Sequence, residues 1–320
     1  MLIGVFAEGL FGWGDCAPLP SSGEEGHAAA FAALEQAAEA LRGIALDSAL
    51  TGIAGVGNAQ ARWAVETALL DLSARQRGMS LHQAFGAKPA TRIALNAAVG
   101  ALDDACADRI AAALADGFQI AKIKVGVADW REEARRLRAL ASQAPGAARF
   151  RLDANRAWDE ADAQNFLDAV ADLPIDGVEE PLAQPTLENL ARLQRRYPFA
   201  LAVDESLFEL GANLFAARAV RRLVLKPARV GGFQKTLRLA QDAAAAGMEV
   251  VITSVVDSSL GVAAAAQLAA VVAPEQAHGL ATSSWLARDV AAPLAVRKGA
   301  LVLPDGPGLG LAPAGEFAQF

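Results

Sequence analysis

The chain has 320 residues, 53% hydrophobic and 20% charged, which excludes a disordered protein and suits two domains or one large barrel with an appendage. The balance of 29 Lys+Arg against 36 Asp+Glu gives a net charge of -7 with no basic block, which argues against a nucleic-acid binder. The two cysteines, Cys16 and Cys106, lie far apart, so the expectation is a reducing cytoplasm and no disulfide framework.

The first fifteen residues carry Glu8 and no basic n-region, so they do not read as a signal peptide. They read as a strand followed by the turn-rich GDCAPLPSSG. Two helical stretches come next, near His27–Arg42 and Gln60–Arg77. From about Ile93 short β-like runs alternate with helical segments such as WREEARRLRALASQA and FQKTLRLAQDAAAAG. The runs are RIALNAAV, QIAKIKV, RFRLDAN, DGVEEP, FALAVDE, RLVLKP, MEVVITS and a weaker AHGL. Eight strands alternating with helices over roughly 200 residues predict a (β/α) barrel. No G-x-G-x-x-G turn supports a doubly wound sheet instead. The longest apolar stretch, GVAAAAQLAAVVAP, is interrupted by Gln267 and stopped by Pro274, so it predicts a buried helix rather than a membrane span. The closing AVRKGALVLPDGPGLGLAP reads as a short strand and a Pro/Gly-rich tail. The predicted organisation is an α/β barrel over 91–290, with an α+β capping domain built from 1–90 plus 291–320.

The strand ends carry charges where apolar residues are expected. Lys122 and Lys124 share one strand face, while Ile123 and Val125 take the other. Asp153 and Asn155 likewise share a face, with Phe150 and Leu152 opposite. DGVEEP ends on Glu179 and Glu180, FALAVDES on Asp204 and Glu205, and RLVLKP on Lys226. From Lys124 through Asp153, Glu179 and Asp204 to Lys226 the steps are 29, 26, 25 and 22 residues, each one β/α unit. Five consecutive strands therefore deliver three carboxylates, flanked by two lysines, to one barrel mouth. A single Asp at a strand end is ordinarily a cap or turn residue, and a single Lys a solvated charge. Three convergent carboxylates instead repel one another unless protonated or neutralised by a cation, and hard oxygen ligands suit Mg²⁺ or Mn²⁺. A lysine beside such an ion and a second lysine is expected to have a lowered pKa and to serve as a base. The combination suits proton abstraction next to a substrate carboxylate. Alternation turns Glu180 and Glu205 away from the pocket, where they would support the ligands from behind.

These residues resemble the enolase superfamily, in its muconate-lactonizing subgroup. KIKVG is similar to the K-x-K base motif, LDANRAW, VEEP and VDES to the three metal-ligand motifs, and LKPARVGG to the opposite-face lysine motif. The resemblance implies a modified (β/α)8-type TIM barrel of (β/α)7β form. It implies Lys124 and Lys226 as catalytic residues and Asp153, Glu179 and Asp204 as ligands of Mg²⁺, with Mn²⁺ as a substitute. Within the subgroup, GWGDCAPLP, DANRAW, VITSVVDSSLG and AHGLATSSWLARDV are most similar to the o-succinylbenzoate synthase family. That implies a small-molecule carboxylate substrate, with Lys122, Asn155, Arg156, Ser254, Ser258 and Ser259 in its pocket. For the three serines the plain alternative is capping of the helix after the seventh strand. The same catalytic set serves N-succinylamino acid racemases and dipeptide epimerases, so these functions stay open at this point. Members of the family carry more sequence before the GDCAPLP-like loop, so the capping domain is expected to be short at its N-terminus.

Overall fold

A computed structural model describes residues 1–20, 25–143 and 148–318. It opens with an antiparallel hairpin, β1 (Leu2–Ala7) and β2 (Leu10–Asp15), turning at Glu8 and Gly9, both at positive φ. Helices α1 (His27–Leu41) and α2 (Leu46–Gly52) follow, then the buried α3 (Ala59–Gln76) and the short α4 (Leu81–Ala84). The hairpin lies directly on α3. A Cβ on Gly12 or Gly14 would fall 2.1 Å from the Ala68 carbonyl oxygen or 1.9 Å from that of Ala64. Glycine at these two positions is what lets strand and helix backbones meet.

The RIALNAAV run divides in two. Its first part is β3 (Arg92–Ala94), and its second, β4 (Ala97–Ala101), opens the barrel. The barrel sheet runs in chain order through β4, β5 (Ile120–Lys124), β6 (Arg149–Asp153), β7 (Ile175–Glu179), β8 (Ala200–Val203), β9 (Arg222–Leu225) and β10 (Glu249–Ile252), every pair parallel. Between the strands lie α5 (Cys106–Ala115), α6 (Trp130–Gln143), α7 (Glu160–Val170), α8 (Leu187–Arg196), the short α9 (Leu207–Leu210) and α10 (Asn213–Ala217), and α11 (Pro227–Val230) with α12 (Phe233–Ala245). After β10 comes α13 (Ser259–Val272), the predicted buried apolar helix. Gln267, the polar interruption in it, accepts the His82 amide at 3.0 Å. No helix of the described residues is long and apolar enough to cross a membrane.

AHGL, the predicted eighth strand, forms only isolated bridges, Leu95 with His278 and Gly279 with Thr253. These still close the ring, because the Asn96 amide reaches the His278 carbonyl at 2.9 Å and the Gly279 amide reaches that of Ile252 at 3.0 Å. A Cβ on Gly279 would meet Thr253 Cγ2 at 2.7 Å, so a larger residue there would force Thr253 or the closing segment to shift.

The tail is shared between the two parts of the molecule. β11 (Val296–Arg297) and β12 (Ala300–Val302) form a small antiparallel sheet with β3, and Leu301 and Leu303 pack into the barrel's core. Farther on, Leu309 packs with Trp13, Trp63 and Leu81.

Side-chain alternation explains the layers. Ile123, Leu152, Val178, Val203 and Leu225 point out to the helices and are fully buried. Inside the ring, Ala202, Val224 and Val251 form a small apolar layer. The interior also holds an ionic layer. Arg151 and Arg222 meet Asp176 Oδ2 at 2.9 and 2.7 Å. Asp176 enters this layer at an irregularity in the β6–β7 register, where Phe150 pairs with Ile175 but Arg151 with Gly177.

Candidate active site

Register places Lys124 opposite Asp153, and Asp153 opposite Glu179, at the C-terminal ends of β5, β6 and β7. Asp204 and Lys226 are the first residues beyond β8 and β9. The predicted five thus arrive from five adjacent strands. Lys122 lies between two of the carboxylates, with Nζ 2.9 Å from Asp153 Oδ2 and 2.8 Å from Glu179 Oε2. Lys226 Nζ is bonded to Asp204 Oδ2. Lys122, expected at the substrate, is therefore held chiefly by the carboxylates.

Burial dominates the electrostatics. It pushes Glu179 up to about 7, with repulsion from Asp153 and Asp204 adding to it and Lys122 opposing it. Burial also raises Asp204, against the attraction of Lys226. Burial works against the charged Lys226 ammonium, but contact with Asp204 more than offsets it, so its pKa lies above the ordinary lysine value.

Among the described residues no three carboxylates are drawn around a common point; Lys122 and Lys226 supply their counter-charge. Their donor chemistry nonetheless fits a hard divalent cation. All three present carboxylate oxygens, they are at most 5% exposed, and Glu179 Oε1 is buried with no hydrogen-bond partner among the described residues.

Supporting residues surround this set. Asn155, at φ 44°, accepts a hydrogen bond from Lys124 Nζ at 2.5 Å. Glu180 is buried behind the site, where its Oε1 accepts the amides of Asp204 and Ser206 at 2.7 and 2.8 Å. It thereby fixes the turn that presents Asp204. Glu205 Oε1 lies 3.5 Å from Asn155 Nδ2. Arg156 is engaged elsewhere, with Glu209 at 2.5 and 3.1 Å and the Ala183 carbonyl at 3.1 Å.

A cavity of about 310 Å³ opens over the strand ends. Lys122, Lys124, Asp153 and Lys226 line it, together with Thr253, Ser254, Val255, Ala281, Thr282 and Trp285. Ser254 Oγ is 2.5 Å from Thr282 Oγ1. Ser258 and Ser259, expected at the substrate, stand off this wall. The Ser258 amide donates to Asp15 Oδ2 at 2.8 Å, and Ser259 gives its amide and hydroxyl to Asp289 at 3.0 and 2.7 Å. Ser258 is the N-cap residue of α13 but makes no side-chain capping bond; Asp15 and Asp289 accept the first amides instead, so the capping weighed for these serines is not what the structure shows. Sequence reasoning missed Thr253, at the end of the MEVVITS run, and Thr282 and Trp285, which lie beyond an eighth strand too short to show a pattern. It also missed the Arg151–Asp176–Arg222 layer, although the alternation in RFRLD puts Arg151 on the face of Asp153.

Residues 105–317 match the family described as enolase C-terminal domain-like. Residues 1–86 match that of the mandelate racemase / muconate lactonizing enzyme N-terminal domain. The chain is 33% identical to an o-succinylbenzoate synthase of Desulfotalea psychrophila over 248 residues, 75% of this chain and 67% of that protein. It is 31% identical to a chloromuconate cycloisomerase of Cupriavidus pinatubonensis over 264 residues, covering 80% and 70%. The solved dipeptide epimerase of Enterococcus faecalis superposes with a TM-score of 0.88 at 25% identity, over 97% of this chain and 93% of that one.

Proposed function

The chain belongs to the enolase superfamily, in its muconate-lactonizing subgroup, and from that premise we propose that it is an o-succinylbenzoate synthase. The reaction is dehydration of 2-succinyl-6-hydroxy-2,4-cyclohexadiene-1-carboxylate to 2-succinylbenzoate, in menaquinone biosynthesis. The observation that carries the reading is the chemistry of the cavity's wall. Lys122, Lys124, Lys226 and one carboxylate, Asp153, line it at the strand ends, and the rest of its wall is neutral among the described residues. Neutral donors there suit a carboxylate or carbonyl, whereas a substrate ammonium would find no acidic partner on that part of the wall.

Lys124, as the neutral amine, takes the proton from the carbon next to the ring carboxylate. The C–O bond to the ring hydroxyl then breaks, and the same lysine returns its proton to that oxygen, which leaves as water. The ring becomes aromatic and Lys124 regains its free amine. Asn155 Oδ1 holds the Lys124 nitrogen at the cavity. Lys226 stays protonated on Asp204 and sets its charge against the developing anion. Asp153, Glu179 and Asp204 would hold Mg²⁺, or Mn²⁺ in its place. The chemistry such an ion supplies is positive charge beside the substrate carboxylate, which acidifies the neighbouring C–H. Neither Cys16 nor Cys106, both buried, is in a disulfide, in keeping with a cytoplasmic enzyme.

One observation favours a second reading. Lys124 and Lys226 reach the same cavity from strands four apart, so a two-lysine proton transfer, as in an N-succinylamino acid racemase or dipeptide epimerase, uses the same residues. The deciding experiment compares kcat/KM for the cyclohexadiene carboxylate, N-succinylamino acids, dipeptides and chloromuconate on one Mg²⁺-supplied preparation. Dehydration should have the largest value. A larger value for any other substrate overturns the synthase reading.

A further inference from the structure

A second crevice, of about 400 Å³, lies where α2 and α3 meet α12, away from the barrel mouth. Three cations line it, Arg62 on α3 and Lys235 and Arg238 on α12. Arg62 is held in place by its Nε on the Val56 carbonyl at 2.8 Å and its Nη2 on that of Gly57 at 3.3 Å, which leaves Nη1 for other use. Lys235 lies over the Phe208 ring at 5.6 Å. Burial and the charges of Arg62 and Arg238 lower its pKa, with no carboxylate acting in the opposite direction. Among the described residues Glu66 is the only acid in the lining, and its two oxygens already receive the Phe233 and Gln234 amides at 2.6 and 3.3 Å. Leu50, Ile53 and Ala54 add an apolar wall.

We propose that this crevice binds a small dianion, with carboxylate or phosphate-ester chemistry and a short hydrocarbon body. Three positive charges against one negative leave two to be neutralised. Two guanidinium groups match the planar oxygens of such ligands, and the apolar wall takes the hydrocarbon part. The ligand would bridge the helices of the N-terminal segment to α12, which begins seven residues after Lys226.

The test is thermal unfolding of the full chain in rising sodium phosphate or sodium succinate, with ionic strength held constant by sodium chloride. Tm should rise saturably with at least one anion. A response to phosphate alone assigns phosphate-ester chemistry, and a response to succinate assigns carboxylate chemistry. The Lys235→Gln/Arg238→Gln double variant changes two exposed side chains and should raise the half-saturating concentration at least tenfold. Lys226→Met, at the barrel mouth, should leave it within twofold. Arg238→Glu gives a second reading if the double variant unfolds early, and should also weaken binding at least tenfold. No saturable rise with either anion, unchanged saturation in the crevice variants, or loss of the effect in Lys226→Met overturns the proposal.

Discussion

Lys124, Asn155 and Asp204 occupy different stations in the same small volume, so removing each should have a different kinetic signature. Lys124→Ala removes the group that moves the proton and should lower turnover by about 100- to 10,000-fold. Exchange of the α-proton with deuterated solvent, followed by NMR, should disappear with it. Full dehydration by this variant sinks the mechanism. Asn155→Ala leaves the lysine but frees its nitrogen from the 2.5 Å hydrogen bond. The expected loss is on the order of tenfold in kcat with little change in KM, the mark of a misplaced reacting group. Asp204→Asn removes a charge that Lys226 needs and a donor proposed for Mg²⁺. Calorimetric titration should show weakened Mg²⁺ binding, and turnover should fall with it. Full turnover after EDTA treatment in metal-free buffer rules out the ligand assignment.

Among the elements, α3 has the most varied set of attachments. Its Asp71 is fully buried and accepts the Trp13 amide at 2.9 Å, the Leu309 amide at 2.7 Å and Arg75 Nε at 2.9 Å. One carboxylate thus joins the N-terminal hairpin, the helix and the tail. Asp71→Ala strands two buried amides, and unpaired buried donors cost about 1–3 kcal/mol each. We expect urea unfolding to register a loss of about 3 kcal/mol, and a loss below about 0.5 kcal/mol contradicts the account. Gly177, on β7, is constrained differently. A Cβ there would stand 2.6 Å from Arg222 Nη1 and 2.9 Å from the Ala200 carbonyl oxygen. Gly177→Ala should cost about 1–3 kcal/mol by displacing the Arg222–Asp176 bond, as overpacking does elsewhere. The helix itself was visible in the sequence near Gln60–Arg77, but nothing in its local pattern marked Asp71 as the junction of three distant segments.

At the scale of the molecule, His278 closes the barrel and couples it to pH. Its Nδ1 accepts the Ile252 amide at 3.0 Å and its Nε2 faces the Ala273 carbonyl at 2.9 Å, so the neutral ring carries its proton on Nε2. Burial, with Arg151 nearby, lowers its pKa from 6.5 to about 4. Above pH 6.5 the ring is neutral in both folded and unfolded chains. Between about 6.5 and 4 the unfolded chain binds a proton that the folded chain does not, so acid destabilises the fold, by about 3 kcal/mol over the window. Glu180, pushed up to about 7 by burial, acts in the opposite sense, since it is protonated earlier in the folded chain. The clean measurement is therefore the stability difference between the parent and His278→Gln across pH 4–7. It should narrow as pH falls, and a pH-independent difference refutes the account.

The order of the barrel strands, the outward apolar faces and the five charged strand ends were legible in the sequence, because they rest on local periodicities. Alternation of period two decides which side chains face inward, and one β/α unit per charged residue decides that they meet at one end. What the sequence could not supply was who pairs with whom. Lys122 between Asp153 and Glu179, Lys226 on Asp204, and Ser258 and Ser259 on Asp15 and Asp289 all depend on tertiary packing, which brings together segments up to 243 residues apart. The division of RIALNAAV between two sheets was decided in the same way. Leu301, Ala300 and Val302 return from the far end of the chain to pair with Ile93, Ala94 and Arg92. A strand's own residues encode which face is apolar, but its partner is selected by the packing of the whole chain.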